Sequence, residues 1–178
     1  MILVLLANGF EEIEALTPVD MLRRAGLEVK TVGISGIRAV GSHGIAVECD
    51  ATPDDVNLSR VKAVIFPGGM PGAENLDKSP FSDKAIDAAL KNGGHLAAIC
   101  AAPLVLGRRG LLRGRRAVCY PGFEGELVGA NILDKRVVTD GNITTAVGMG
   151  AALEFALEIV QILTDEKRAE ELSRATIA

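Results

Sequence analysis

The chain has 178 residues, 48% of them hydrophobic, with 20 glycines and a formal net charge of -4. That is enough chain for one domain with a single core, residues 1–178, and the composition of a folded protein. Aromatics make up 3%, Trp is absent and no face is rich in Lys or Arg, which argues against nucleic-acid binding. Cys49, Cys100 and Cys119 include no CxxC pair, so neither a disulfide framework nor a metal site is expected, and a reducing cytoplasm is the default.

The chain opens on an apolar strand over residues 2 to 6. The run is short, lacks a basic flank and meets Asn8-Gly9, so it reads as a strand and not as a signal peptide or membrane span. A helix follows from Glu11 to Gly26, with apolar residues at 13, 16, 19 and 22, Pro18 in its middle to kink or restart it, and Arg23-Arg24 closing it. Glu11 and Glu12 need only be partners of the helix dipole. Glu14 has two readings: a solvated helix glutamate, or a carboxyl turned back over the sheet edge.

Leu27 to Ile34 reads as a second strand, and Ala39 to Cys49 as a hairpin through Gly41-Ser42-His43-Gly44. Lys62 to Phe66 is another buried strand, ending in Pro67-Gly68-Gly69. Glycines there let backbone N–H groups approach a ligand, although a plain tight turn has the same composition. A helix over about 80 to 91 leads to the strand that starts at His95 and ends in Ile99-Cys100-Ala101-Ala102-Pro103. Arg116 to Tyr120 reads as a short strand, and Arg136–Thr139 with Ile143–Thr145 as a hairpin over Asp140-Gly141-Asn142. Helices over 151–163 and about 165–174 close the chain.

Strands alternating with helices predict a largely parallel sheet covered on both faces, with the carboxyl ends of its strands on one edge. Gly68, Gly69, Cys100 and Tyr120 then share a crevice. An apolar strand that stops at Cys100, with small residues and a helix after it, reads either as a buried core thiol or as a nucleophile at a strand-to-helix turn. Cys49 and Cys119 read as packing residues, Cys119 the nearer to the crevice. His95 begins its strand at the end far from Cys100.

The segments Gly9-Phe10-Glu11-Glu12-Ile13-Glu14, Pro18-Val19-Asp20, Arg23-Arg24-Ala25-Gly26, Phe66-Pro67-Gly68-Gly69 and Ala97-Ala98-Ile99-Cys100-Ala101-Ala102-Pro103 resemble the ThiJ/PfpI superfamily. Within it, the branch of the parkinsonism-associated protein deglycase is the most similar, over residues 2 to about 165. The resemblance implies a flavodoxin-like three-layer α/β sandwich and a homodimer. It implies that Cys100 is the reactive cysteine and Glu14 a protonated carboxyl that hydrogen-bonds it. Gly69 and Ala101 fall on the amides of an oxyanion pocket, lined also by Gly68, Tyr120 and Pro121. Arg24 and Gly148 fall near the dimer interface, and His43 would reach the partner's crevice in such a dimer.

Two departures bear on the chemistry. Animal members of the family carry a histidine where Tyr120 precedes Pro121. The phenol cannot act as a base near neutrality, its unperturbed pKa being about 10. The protease-like branch has a histidine where Ala101 stands, so a Cys-His peptidase dyad is poorly supported. What the resemblance implies best is a cofactor-independent glyoxalase or deglycase acting on methylglyoxal, glyoxal or their protein adducts. A redox-responsive stress protein or holdase, a small-molecule hydrolase and a non-catalytic relative are the alternatives. For the thiol to react as its anion, the helix N-terminus and a neutral Glu14 are expected to lower its pKa.

Overall fold

The computed structural model describes residues 1–178. In chain order its elements are β1 (Ile2–Leu6), α1 (Glu12–Arg24), β2 (Val29–Gly33), β3 (Arg38–Val40), β4 (Ala46–Glu48), β5 (Ala63–Phe66), α2 (Gly72–Asp77), α3 (Pro80–Lys91), β6 (His95–Ile99), α4 (Pro103–Arg108), β7 (Arg116–Ala117), β8 (Asn131–Ile132), β9 (Val137–Asp140), β10 (Ile143–Ala146), α5 (Ala152–Leu163) and α6 (Glu166–Thr176). β1, β5 and β6 are buried at every position, which is why β1, β5 and, after His95, β6 are written as continuous apolar runs: both faces of a parallel sheet are covered. No helix is long and apolar enough to cross a membrane.

Six strands form the central sheet in the order β2-β1-β5-β6-β10-β9, parallel except for β9, which pairs antiparallel with β10. The chain moves one way from β1 to β2 and the other way from β5 to β6. Right-handed crossovers therefore put α1 and α3 on opposite faces. α5 packs on α1, with α6 against α5. The reversal opens a crevice beyond the carboxyl ends of β1 and β5, with the end of β6 beside it. Phe10, Phe66 and Phe155 are fully buried among aliphatic side chains.

Four expectations are corrected here. In α1, Ile13 and Leu16 are 51% and 37% exposed, while Ala15, Pro18, Val19 and Leu22 are buried. A three-residue spacing drifts around a helix, and positions 13 and 22 lie half a turn apart; the stripe at 15, 18, 19 and 22 follows the true period. Pro18 does not divide the helix, which runs on to Arg24. α2 arises in a stretch to which no element was assigned. The segment 116–120 is not a strand of the main sheet: β9 already occupies the free edge of β10, so only β7 forms, paired with β8 in a separate two-stranded sheet. Beyond it, the Val118 N–H is met by the Thr145 hydroxyl at 2.9 Å instead of a backbone carbonyl.

Candidate active site

The first turn of α1, the loop after β5 and the end of β6 meet at this crevice. Cys100 takes φ +65°, in the left-handed region, and among non-glycine residues only Ile177 near the terminus shares that sign. Such a conformation costs roughly 1–3 kcal/mol and persists only where its surroundings hold it. They do so from both sides: the Cys100 N–H donates to the Ala146 carbonyl at 2.9 Å, and its carbonyl accepts from the Tyr120 N–H at 2.8 Å. The turn lifts the sulfur off the strand end toward the amides of Gly69 and Ala101, both of which favour its anion. Cys100 is 9% exposed.

Glu14 is fully buried. Its Oε2 accepts from the Gly68 N–H at 2.9 Å, and Oε1 has no hydrogen-bond partner, although the carboxyl lies within hydrogen-bonding reach of the Cys100 thiol. A bare carboxylate oxygen so placed is costly, and protonation turns it into a donor. Burial accordingly raises the Glu14 pKa to about 7, the bonds from Cys100 and Gly68 opposing and the charge of Glu11 adding to it.

The expectation of a lowered cysteine pKa does not hold. Burial pushes the Cys100 thiol up to about 12, with the charge of Glu14 and its hydrogen bond adding to the rise; the Gly69 and Ala101 amides pull the other way and lose. The two groups titrate as a pair, so the useful anion is reached when ionised Glu14 takes the thiol proton, not by free dissociation. Gly68 makes this contact possible. A Cβ there would stand 2.6 Å from Glu14 Oε2, 2.7 Å from Cys100 Cβ and 2.9 Å from the Ile99 carbonyl. Gly69, at φ +82°, is pressed against the Glu11 nitrogen, 2.4 Å from where its Cβ would be.

Tyr120 is 45% exposed, and its ring lies against Gly148: a Cβ on Gly148 would be 3.2 Å from Tyr120 Cδ2. Pro121 lines a different groove, with Val118, Cys119 and Glu124, that does not include Cys100. Arg24 is exposed and bonds Asp20 at 2.9 Å. His43 is engaged within its own chain, its Nδ1 3.1 Å from Glu12 Oε2. Glu11 and Glu12, read as dipole partners, are only 6% exposed and receive the β3–β4 turn. The signal for them was in the sequence: two acids two and three residues ahead of Glu14, and a Ser-His turn with no partner of its own. His95 lies at the opposite sheet edge, buried, its Nε2 2.8 Å from the Thr144 hydroxyl.

Glu11, Glu12 and His43 bring carboxylate and imidazole atoms within 4.8 Å of one another. Glu12 already spends its oxygens on the His43 and Ile45 amides and the His43 ring, so the group is an anchor for the hairpin.

Comparison with known proteins agrees with this fold. A profile of the DJ-1/PfpI family matches residues 1–162. The Drosophila melanogaster protein dj-1beta is 35% identical over 178 residues, covering 98% of this chain and 95% of that one. Deglycase PH1704 of Pyrococcus horikoshii is 34% identical over 146 residues, covering 79% and 86%. Among solved structures, oxidized Toxoplasma gondii DJ-1 superposes with a TM-score of 0.94 at 34% identity, covering 99% of this chain and 97% of that one.

Proposed function

We propose that this chain, which belongs to the DJ-1/PfpI family, is a cofactor-independent glyoxalase of the deglycase type, with Cys100 as nucleophile and Glu14 as its proton carrier. The observation that carries the reading is the buried Glu14 carboxyl within reach of a thiol that two backbone amides also face. Deglycase-named relatives give it support from outside the chain.

The steps balance without an added oxidant or reductant. Glu14 takes the thiol proton as the sulfur bonds the aldehyde carbon of methylglyoxal. The carbonyl electron pair moves onto oxygen, held by the Gly69 and Ala101 N–H groups. Glu14 returns its proton to that oxygen, giving a hemithioacetal. It then removes the hydrogen on the same carbon, and a proton is delivered to the neighbouring carbon. The first carbon is oxidised to a thioester and the second reduced to an alcohol. Water cleaves the thioester, releasing lactate and the thiol. With the thiol 9% exposed and Glu14 not exposed at all, free small dicarbonyls fit better than aldehydes carried on a protein surface.

Protein incubated with methylglyoxal and no glutathione is expected to form lactate, and Cys100→Ser to form none. Equal rates in the two proteins would end the reading. A homodimer belongs to the same proposal. It is supported by Ile13 and Leu16, exposed on the outer side of α1, the helix that also carries Arg24. Ile13→Glu is expected to convert a sedimenting dimer to monomer; a monomeric wild type would remove that part.

A further inference from the structure

Glu11 touches the site, yet the reaction above gives it no part. Its N–H donates to the Gly68 carbonyl at 2.9 Å, and its backbone presses on Gly69. Its carboxylate and that of Glu12 are buried side by side at the start of α1, and the sole salt-bridge partner of either is His43. The β3–β4 turn closes over them. Ser42 Oγ lies 3.1 Å from Glu11 Oε2 and 3.4 Å from Glu12 Oε2. The His43 N–H donates to Glu12 Oε1 at 2.9 Å, and the His43 Nδ1 lies 3.1 Å from Glu12 Oε2 and 3.5 Å from Glu11 Oε2. An imidazole thus stands against two buried carboxylates, and the charge of one of them, Glu11, acts on Glu14.

We propose that His43 is a positioning residue for the Glu14–Cys100 pair: it pins Glu11 and Glu12 beside the Gly68–Gly69 loop, and its charge sets how firmly Glu14 holds its proton. The inference rests on reading Glu14 and Cys100 as the reacting pair. The groups acting on His43 are Glu12 and Glu11. Those acting on Glu14 are Cys100, the Gly68 amide and Glu11. Glu12 stays ionised throughout: burial raises its pKa, but its own amide, the His43 ring and amide, and the Ile45 amide together bring it down to about 2. The hydrogen bond to Glu12 and the two carboxylate charges raise the His43 pKa, so its charge persists toward neutrality.

The sign follows from the charges. Protonated His43 offsets Glu11, and Glu14 ionises more readily, ready to take the thiol proton. Neutral His43 leaves Glu11 unopposed, and Glu14 keeps its proton longer. The site then has a histidine's pH response, although Tyr120 stands where relatives carry one, and the response comes from a different element of the fold.

The test is a carbon-13 NMR titration of the Glu14 carboxyl at low salt, assigned with Glu14→Gln, in wild type, His43→Gln, His43→Arg and Glu11→Gln. His43→Gln is expected to raise the Glu14 midpoint and Glu11→Gln to lower it, each by about half a pH unit, while His43→Arg, which holds the charge at every pH, leaves it at or below the wild-type value. Iodoacetamide alkylation of Cys100 should follow, its pH profile moving the same way. A midpoint unmoved by all three variants overturns the proposal. So does a shift in the same direction in His43→Gln and His43→Arg, which is the mark of a loosened turn and not of charge. None of these readouts needs aldehyde turnover. If the shifts occur and lactate does not form, the reaction assignment falls and the role of His43 stands.

Discussion

Glu14→Gln lowers aldehyde turnover by about 10²- to 10⁴-fold and, in the same molecule, makes the protein more stable at neutral pH. The first effect follows from its role. Glutamine keeps the oxygen that accepts the Gly68 N–H and cannot carry a proton between sulfur, oxygen and carbon. The second follows from burial. Glu14 has a folded pKa of about 7 against 4.5 for the free group, so the folded state holds its proton more tightly than the unfolded chain does. A raised pKa contributes stability that is complete below pH 4.5 and lost as pH rises through 7. Above that pH the wild type carries a buried charge at a cost of about 3 kcal/mol, and glutamine removes it. Denaturant unfolding at pH 4.5 and pH 8 reads the difference: near equality at the lower pH and a more stable variant at the higher. A variant that loses turnover but shows the same stability gap at both pH values would mean that Glu14 is not an ionisable group in the folded protein. A site group whose removal stabilises the fold is a cost retained for function.

Much of this fold could be read from the residues alone. β1 and β5 are runs with no polar residue, and β6 has only His95 at its start; such runs fit a doubly covered strand or a buried helix, and each is too short for the latter. The glycines after β5 and the small residues after Cys100 placed two loops on one edge. Beyond the wrong period chosen for α1 and the effect of Pro18, the failures share a cause: burial or pairing decided by a neighbour distant in sequence. Ile13 and Glu14 adjoin in the helix, and the apolar residue faces out while the charged one faces in, because Gly68 and Cys100 supply the contact from elsewhere. The same holds for Glu11 and Glu12, whose partners lie some thirty residues on, at Ser42 and His43. Arg116 to Tyr120 has strand composition but no free edge to join, since β9 already pairs with β10. The cysteine pKa went the wrong way because two amides are visible in a turn motif and the desolvation that outweighs them is not.

Between about pH 4.5 and 6.5 the wild-type stability should change little, although two buried groups titrate there, because their contributions have opposite signs. His95 is the second group. The Thr139 hydroxyl donates to Glu158 Oε1 at 2.7 Å, so it accepts from Thr144 across their 2.8 Å contact. Thr144 has then used its proton, and at 2.8 Å must accept from His95 Nε2–H. The single N–H of a neutral imidazole is spent on this chain, and burial lowers the His95 pKa from 6.5 to about 4. A depressed histidine contributes stability that is complete above pH 6.5 and lost as pH falls toward 4, up to about 3 kcal/mol. Over the same interval Glu14 gains stability as pH falls. Glu12 does not disturb the balance, because its lowered pKa places its loss below pH 4.5. Separating the two groups should expose both slopes. Glu14→Gln leaves His95 alone, and stability should rise steeply from pH 4.5 to 6.5. His95→Gln keeps an N–H for Thr144 and removes the titration, so stability should fall as pH rises over the same range. Urea midpoints across the interval would show a nearly flat wild type between two variants of opposite slope. Parallel curves in all three proteins would mean that neither group is buried in the form described, and the assignment of a protonated Glu14 would go with it.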